Sequence, residues 1–399
     1  MTTVLRFALL AFLAAGVRQD PSTRFTPSRQ DPDIKVFDEA WKVVKSNFYD
    51  KKLRGLDWDA MKEKYRPEAE KAKTQRELHA VVNRMIGELK ASHCVLIEAD
   101  VFRDNIAPEF AGKLSVRPGF ELSALDGGCF VTAVYEKGPA ETAGLKLGDR
   151  IVTIDGKAPD KTDAVVDAGS DPGIPGHPHF VVRVKEGEPL KLVVQRVKGG
   201  KTIEIDVTPE ELSQNKATRD SARVIERGGK KIGVIHLWHF MGAPIVKALR
   251  DALANELAEV DGLVLDVRGR GGSPMVIQQV MSISKGLKMP LVCLIDEGSR
   301  SAKEVFAWQW RRDALGPLVG VKTAGAVLGS TFFKLSDGSQ LLLAVINVDN
   351  LAGGVKLEGV GVEPDFHVER DVRYAAGRDE ILEKGLEVMG KKLKARAEY

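Results

Sequence analysis

The chain has 399 residues, 43% hydrophobic and 29% charged, which is enough apolar content for packed cores and too little charge bias for a disordered chain. Lysine plus arginine (59) nearly balances aspartate plus glutamate (56), so no field suited to gripping nucleic acid is expected. Three scattered cysteines, Cys94, Cys129 and Cys293, exclude a disulfide-stapled miniprotein and a Cys-rich zinc site.

At roughly 100–200 residues per domain, two or three domains are expected. Residues 1–19 read as a signal peptide: Arg6 precedes an apolar run from Phe7 to Ala15, too short for the ~20 residues of a membrane span, and small residues follow. The expectation is export to the periplasm or the extracellular space, a mature chain without a transmembrane domain, and a polar linker over 20–33. An oxidising compartment also argues against a thiol nucleophile.

Residues 34–111 read as helical. Val36, Trp41, Val44 and Phe48 recur at helical spacing, as do Leu78, Val81, Val82, Met85 and Leu89, and Thr74–Glu77 has a capping-box pattern. The segment runs through Ser92-His93-Cys94 into the strand-like Val95–Ile97. Residues 112–210 change to short β-runs separated by glycine, among them Gly119–Leu122, Cys129–Val134, Arg150–Asp155, Leu190–Val197 and Thr202–Val207. A polar connector is expected over 211–230. Over 231–399, apolar strands (Ile232–Leu237, Gly262–Val267, Leu291–Ile295) alternate with amphipathic helices (Ala243–Leu257, Pro274–Lys285, Ala302–Arg312). The predicted fold class is α/β: a mostly parallel sheet covered by helices, with an N-terminal helical segment and an inserted β-rich domain.

Gly144-Leu-Lys-Leu-Gly-Asp-Arg-Ile-Val-Thr-Ile-Asp-Gly-Lys157, preceded by Pro139-Ala-Glu-Thr-Ala143, resembles the signature stretch of a PDZ domain. The resemblance implies that a peptide tail adds as an extra strand and that its carboxylate sits in a nest of backbone N–H groups. The residues implied are Arg117, Gly119, Phe120 and Leu122, with Pro118 removing one donor from the nest.

The strand Gly262–Val267 ends in Arg268-Gly-Arg-Gly-Gly-Ser273 before a helix, and glycines at such a junction let N–H groups face an anion. This stretch lacks the endings of a P-loop and of a dinucleotide fingerprint. One strand later, Ser299-Arg-Ser-Ala-Lys-Glu304 sets a serine at a strand-to-helix turn, where free N–H groups favour a developing oxyanion; a structural N-cap is the alternative.

Taken in order with Leu357-Glu-Gly-Val-Gly-Val-Glu-Pro-Asp365, these motifs resemble the carboxyl-terminal-processing (tail-specific) serine peptidase family. The resemblance covers roughly 34–370 and implies that Ser301 is the nucleophile, Ser299 being the runner-up. The implied oxyanion hole is the N–H of Ala302 with that of Gly271 or Gly272. The chain departs from the family's Ser-Lys pattern: alanine stands at 326, where the base lysine is expected. The tricorn-like Ser-His-Glu branch supplies another solution, with His93 as base, Ser92 as its companion and Glu358 holding the histidine.

The function implied is an exported serine endopeptidase acting on proteins or peptides, with the PDZ domain binding their C-terminal tails. Its rivals are a catalytically inactive PDZ-containing scaffold, suggested by Ala326, Arg300 and Lys303, and an apolar-ligand carrier. No cofactor and no metal is expected: His177 and His179 form a weak pair without further ligands, and His236 and His239 read as packed or solvated. Lys322 is a poorer alternative base, and Lys303 is expected to point away from the serine.

Overall fold

The computed structural model describes residues 31–167 and 179–397; the expected signal peptide, most of the expected linker, and His177 lie outside the described residues. Helices α1 (Lys35–Asn47), α2 (Trp58–Ala69) and α3 (Gln75–Gly87) form the N-terminal layer. Asp57 caps α2 by accepting from Ala60 N–H, and Thr74 caps α3 by accepting from Glu77 N–H. Their apolar faces, with Phe37, Val44, Leu78, Val82 and Met85 fully buried, pack on Leu341, Leu343 and Ala344, residues from the far end of the chain.

Strand β1 (Val95–Ile97) makes that long-range contact possible. It pairs antiparallel with a strand at 340–346, Val95 opposite Leu342 and Ile97 opposite Gln340. The Ser92-His93-Cys94 tripeptide is thereby carried into the C-terminal half of the molecule.

The inserted unit begins with β2 (Ser115–Arg117). It continues through β3 (Phe120–Leu125), β4 (Gly128–Val134), β5 (Arg150–Ile154), β6 (Val165–Asp167), β7 (His179–Val182), β8 (Leu190–Gln195) and β9 (Thr202–Val207). Strands β3 to β9 form one antiparallel sheet in the order β6-β7-β3-β4-β5-β8-β9. Its core contains Leu122, Val131, Ile151, Ile154 and Val194. Strand β10 (Glu210–Leu212) pairs with β2, so the entry and exit of the unit are tied together.

The stretch expected to be a polar connector is structured. After β10 come α4 (Gln214–Ser221) and β11 (Arg223–Arg227). The buried face of α4 is made of Asn215, Ala217, Thr218 and Ser221, which no hydrophobic periodicity reveals, and β11 is a largely exposed edge strand.

The remaining elements are β12 (Lys230–His236), α5 (Ala243–Ala254), β13 (Gly262–Asp266), α6 (Pro274–Gly286), β14 (Leu291–Ile295), α7 (Ala302–Arg312), β15 (Leu318–Gly320), β16 (Gly329–Lys334), β17 (Gln340–Ile346), β18 (Phe366–His367) and α8 (Glu380–Ala397). The main sheet runs β11-β12-β13-β14-β15-β18. Helices α5, α6 and α7 cover one face, and α8 covers the other through Ile381, Leu386, Met389 and Leu393.

The α/β class is what the structure has, but parallel pairing is narrower than expected. It is confined to β12 through β18 of this one sheet. The β11–β12 pair and all pairings of the other sheets are antiparallel, so the described chain as a whole is a mixed α/β structure with largely antiparallel sheets. The N-terminal helices with β1, β16 and β17 form a layer of their own beside this sheet. Among the described residues no helix is long and apolar enough to cross a membrane.

Candidate active site

Ser301 stands between β14, buried along its length, and the first residue of α7. Its backbone is in the left-handed region (φ 54°, ψ −125°), an uncommon conformation that holds a side chain out of a tight strand-to-helix turn. At the start of α7, Lys303 N–H donates to Arg300 O and Glu304 N–H to Ser301 O, which leaves the Ala302 N–H at the helix's first position to face a ligand at the turn. Ser299, by contrast, is fully buried: its Oγ lies 3.0 Å from Val267 O and 3.1 Å from Asp296 Oδ1 and accepts from Asp296 N–H. It braces the turn and is not placed to attack anything.

The glycine loop packs directly on this turn. A Cβ on Gly271 would stand 2.7 Å from the Ser301 Cβ, and one on Gly272 (φ 155°) would stand 2.4 Å from the Phe240 backbone. Phe240 N–H donates to Gly271 O, and Ser273 N–H to Phe240 O, which pins the loop on its other side. Glycine is required at both positions by contact and, at Gly272, by backbone angle as well.

Three successive residues connect the distant parts of the site. Ala326 O accepts from Ser301 N–H (2.7 Å), Val327 N–H donates to Glu358 Oε2 (2.9 Å), and Leu328 N–H donates to Ser92 Oγ (3.3 Å). Glu358 in turn accepts from Ser92 N–H and Ser92 Oγ, each at 3.0 Å, and Ser92 Oγ lies 2.9 Å from His93 Nδ1. The carboxylate thus reaches the imidazole through the Ser92 hydroxyl. His93 is buried with φ 57°, a second left-handed residue at the site.

Position 326 carries no base, but its main chain is committed: Ala326 N–H donates to Glu304 Oε2 (2.6 Å). Glu304, missed in the sequence, is fully buried on α7 and also accepts from Thr323 Oγ1 (2.6 Å) and Gly325 N–H (2.7 Å). Burial pushes its carboxyl above the usual range, and those three donors pull it back. A glutamate falling on a buried helix face three residues after Ser301 was the available signal. Lys322 is half exposed and ion-paired with Glu363 (2.9 Å), so it is no substitute base.

Lys303 turns inward and is fully buried beneath the glycine loop. His179 and His239 are buried too. Burial outweighs the neighbouring Glu121 and pulls His179 down to about 4; burial, with Lys303 and Arg270 adding, pulls His239 down to about 3. His236 stacks on Trp238. Among the described residues no group of three or more His, Cys, Asp or Glu is placed to hold a metal ion.

The groove expected to take a peptide is partly filled by the chain itself. Leu122, proposed to face a tail, is fully buried and pairs with Phe180, and Ser123 pairs with His179, so β7 occupies this part of the outer edge of β3. The Arg117 guanidinium is engaged with Ser115 Oγ, Asn105 O and Glu109. Gly119 has φ 79° and accepts from Tyr135 N–H, while Phe120 is buried. Arg117, Gly119 and Phe120 line a cavity of about 80 Å³ together with Arg270, whose guanidinium pairs with Glu121.

An α/β sheet carrying a serine at a strand-to-helix turn, with an antiparallel unit inserted ahead of it, is an architecture shared with known peptidases. The chain superimposes on the crystal structure of the tricorn protease with a TM-score of 0.53 at 20% identity, covering 90% of this chain and 37% of that one. Family models match in three places: the tricorn protease C1 domain over 35–87, the PDZ domain over 130–173 and peptidase family S41 over 276–368. Tricorn protease homolog 1 of Streptomyces coelicolor is 26% identical over 393 residues, covering 88% of this chain and 34% of that protein. The chloroplastic C-terminal processing peptidase of Tetradesmus obliquus is 25% identical over 378 residues, covering 84% of this chain and 77% of that protein. The chain is thus similar to the C-terminal-processing and tricorn peptidases, with matches to the PDZ domain and to peptidase family S41. It spans about a third of the length of the Streptomyces tricorn homologs it matches.

Proposed function

We infer that the chain is a serine endopeptidase acting through Ser301, His93 and Glu358, with Ser92 as the link between the last two. The observation that carries this reading is the Ala326–Leu328 tripeptide, whose main chain bonds Ser301, Glu358 and Ser92 in turn. An inactive scaffold has no need to join these three.

With Nδ1 of His93 beside Ser92 Oγ, Nε2 is the nitrogen that takes the Ser301 proton as Oγ bonds to the scissile carbonyl carbon. The carbonyl oxygen gains the negative charge and meets the N–H groups of Ala302 and of Gly271 or Gly272. Collapse breaks the C–N bond, the imidazolium returns its proton to the leaving amine, and water releases the acyl group by the same relay. Glu358 stabilises the imidazolium through Ser92.

Substrates are proteins or peptides, and the PDZ unit receives their C-terminal tails at the Arg117–Phe120 loop, a step that requires β7 to leave the β3 edge. The composition of residues 1–19 supports export to the periplasm or outside the cell. A serine-directed phosphonate, applied to wild type and to Ser301→Ala, His93→Ala and Glu358→Ala, tests the assignment. Labelling of wild type that is abolished in the first and strongly slowed in the other two is expected. Labelling that persists in Ser301→Ala refutes the nucleophile, and folded wild type that never labels favours the scaffold.

A further inference from the structure

Lys303 lies two residues past Ser301 on the first turn of α7, with no solvent exposure. Its Nζ donates to Arg268 O (2.9 Å), Gly269 O (3.1 Å) and Trp238 O (3.1 Å), three main-chain carbonyls at the ends of β12 and β13. Three acceptors satisfy all three ammonium hydrogens, which is what a buried cation needs.

Gly269 is held from both sides. Its N–H donates to Asp296 Oδ1 (2.7 Å) while its C=O accepts from Lys303. Gly269 and Arg270 both have positive φ (62° and 23°), so the loop turns sharply between this clamp and Gly271. Gly271 then rests against Ser301.

We propose that Lys303 is a positioning residue that fixes the Arg268–Gly272 loop at the height where its N–H groups meet the oxyanion formed at Ser301. This rests on the serine peptidase reading and extends it to a side chain that touches neither substrate nor nucleophile. The clamp joins the nucleophile's own helix to the loop, so the two halves of the oxyanion hole are set by one side chain.

The charged and titratable groups around the ammonium are Asp266 on β13, Cys293 on β14, Asp296 after it, Arg268 and Arg270 in the loop, and His239 after β12. Burial outweighs the two aspartates and, with Arg270, pulls Lys303 down to about 7. The amine left after deprotonation has two hydrogens for three carbonyls, so the clamp loosens in mildly alkaline solution. Lys303 then sets an alkaline limb of the rate profile.

The test measures phosphonate labelling rates at Ser301, and kcat and KM on a peptide substrate, from pH 6 to 9. Lys303→Met keeps the stem and removes the donors; Lys303→Arg keeps a cation that does not titrate in this range. Removing a donor from an oxyanion hole costs about 10²–10³ in kcat, and displacing one should cost about tenfold or more. Expected for folded Lys303→Met is at least a tenfold loss in labelling rate and kcat, KM within twofold, and no alkaline limb. In Lys303→Arg the alkaline limb should vanish with part of the rate retained. A folded Lys303→Met that labels at the wild-type rate overturns the proposal. If that variant does not fold, an unchanged alkaline limb in Lys303→Arg overturns it instead. Wild type that fails to label overturns the peptidase reading, and this assignment with it.

Discussion

Replacing Glu358 by glutamine and Ser92 by alanine, singly and together, probes the connection from carboxylate to imidazole. Glu358 Oε2 accepts from both Ser92 Oγ and Val327 N–H, so an amide nitrogen placed there sets N–H against N–H and breaks the link to the hydroxyl. Ser92→Ala removes the same link from its middle. A triad acid bonded directly to its histidine is worth ~10⁴ in kcat; acting through a hydroxyl, Glu358 should be worth about 10²–10³, or about 2.7–4 kcal/mol. Two residues in series lose this once. The double variant should therefore label with phosphonate within about threefold of the slower single variant, as a double-mutant cycle would report for coupled groups. Losses that multiply to ~10⁴–10⁶ would mean independent roles and would refute the series arrangement.

Gly271→Ala should abolish labelling by at least about 10²-fold while circular dichroism stays native, because the added methyl meets the Ser301 Cβ at 2.7 Å; retained labelling would mean the loop does not face the serine. Acid should destabilise the fold through His179 and His239. Both have folded values (about 4 and about 3) below their unfolded ~6.5, so stability is full above ~6.5 and falls as pH drops toward 4, by up to about 2.7 kcal/mol per pH unit. Urea unfolding at pH 7, 6 and 5 reads this, and a flat profile contradicts it. Phe180→Pro should loosen β7 from β3 and raise affinity for C-terminal peptides several-fold in a fluorescence titration; unchanged affinity would mean that β7 does not guard the groove.

The strands and helices from 231 to 312 were legible because buried parallel strands read as apolar runs and their helices carry clear 3.6-residue periodicity. The Ser301 turn and the glycine loop were readable for the same reason, since each sits at the end of such a strand. Pairing across the chain was not legible: nothing local to Val95–Ile97 says that it joins Gln340–Ile346, yet this ladder is what delivers His93. Strand β11 and helix α4 were hidden by polar composition, one being an edge strand and the other burying small polar residues. The burial of Lys303 was not legible: only three converging carbonyls from two other strand ends make a buried lysine tolerable, and no local pattern announces them. The β7 strand on the PDZ edge follows a segment rich in Gly, Pro and His that carries no strand signal of its own.

A crystal structure of the phosphonylated protein tests the central claim most directly. The account predicts phosphorus bonded to Ser301 Oγ, the phosphoryl oxygen about 2.7–3.1 Å from the Ala302 N–H and a loop glycine N–H, and His93 Nε2 within hydrogen-bond reach of the adduct. An adduct on another residue, or an imidazole held away from it by more than one water, would contradict it.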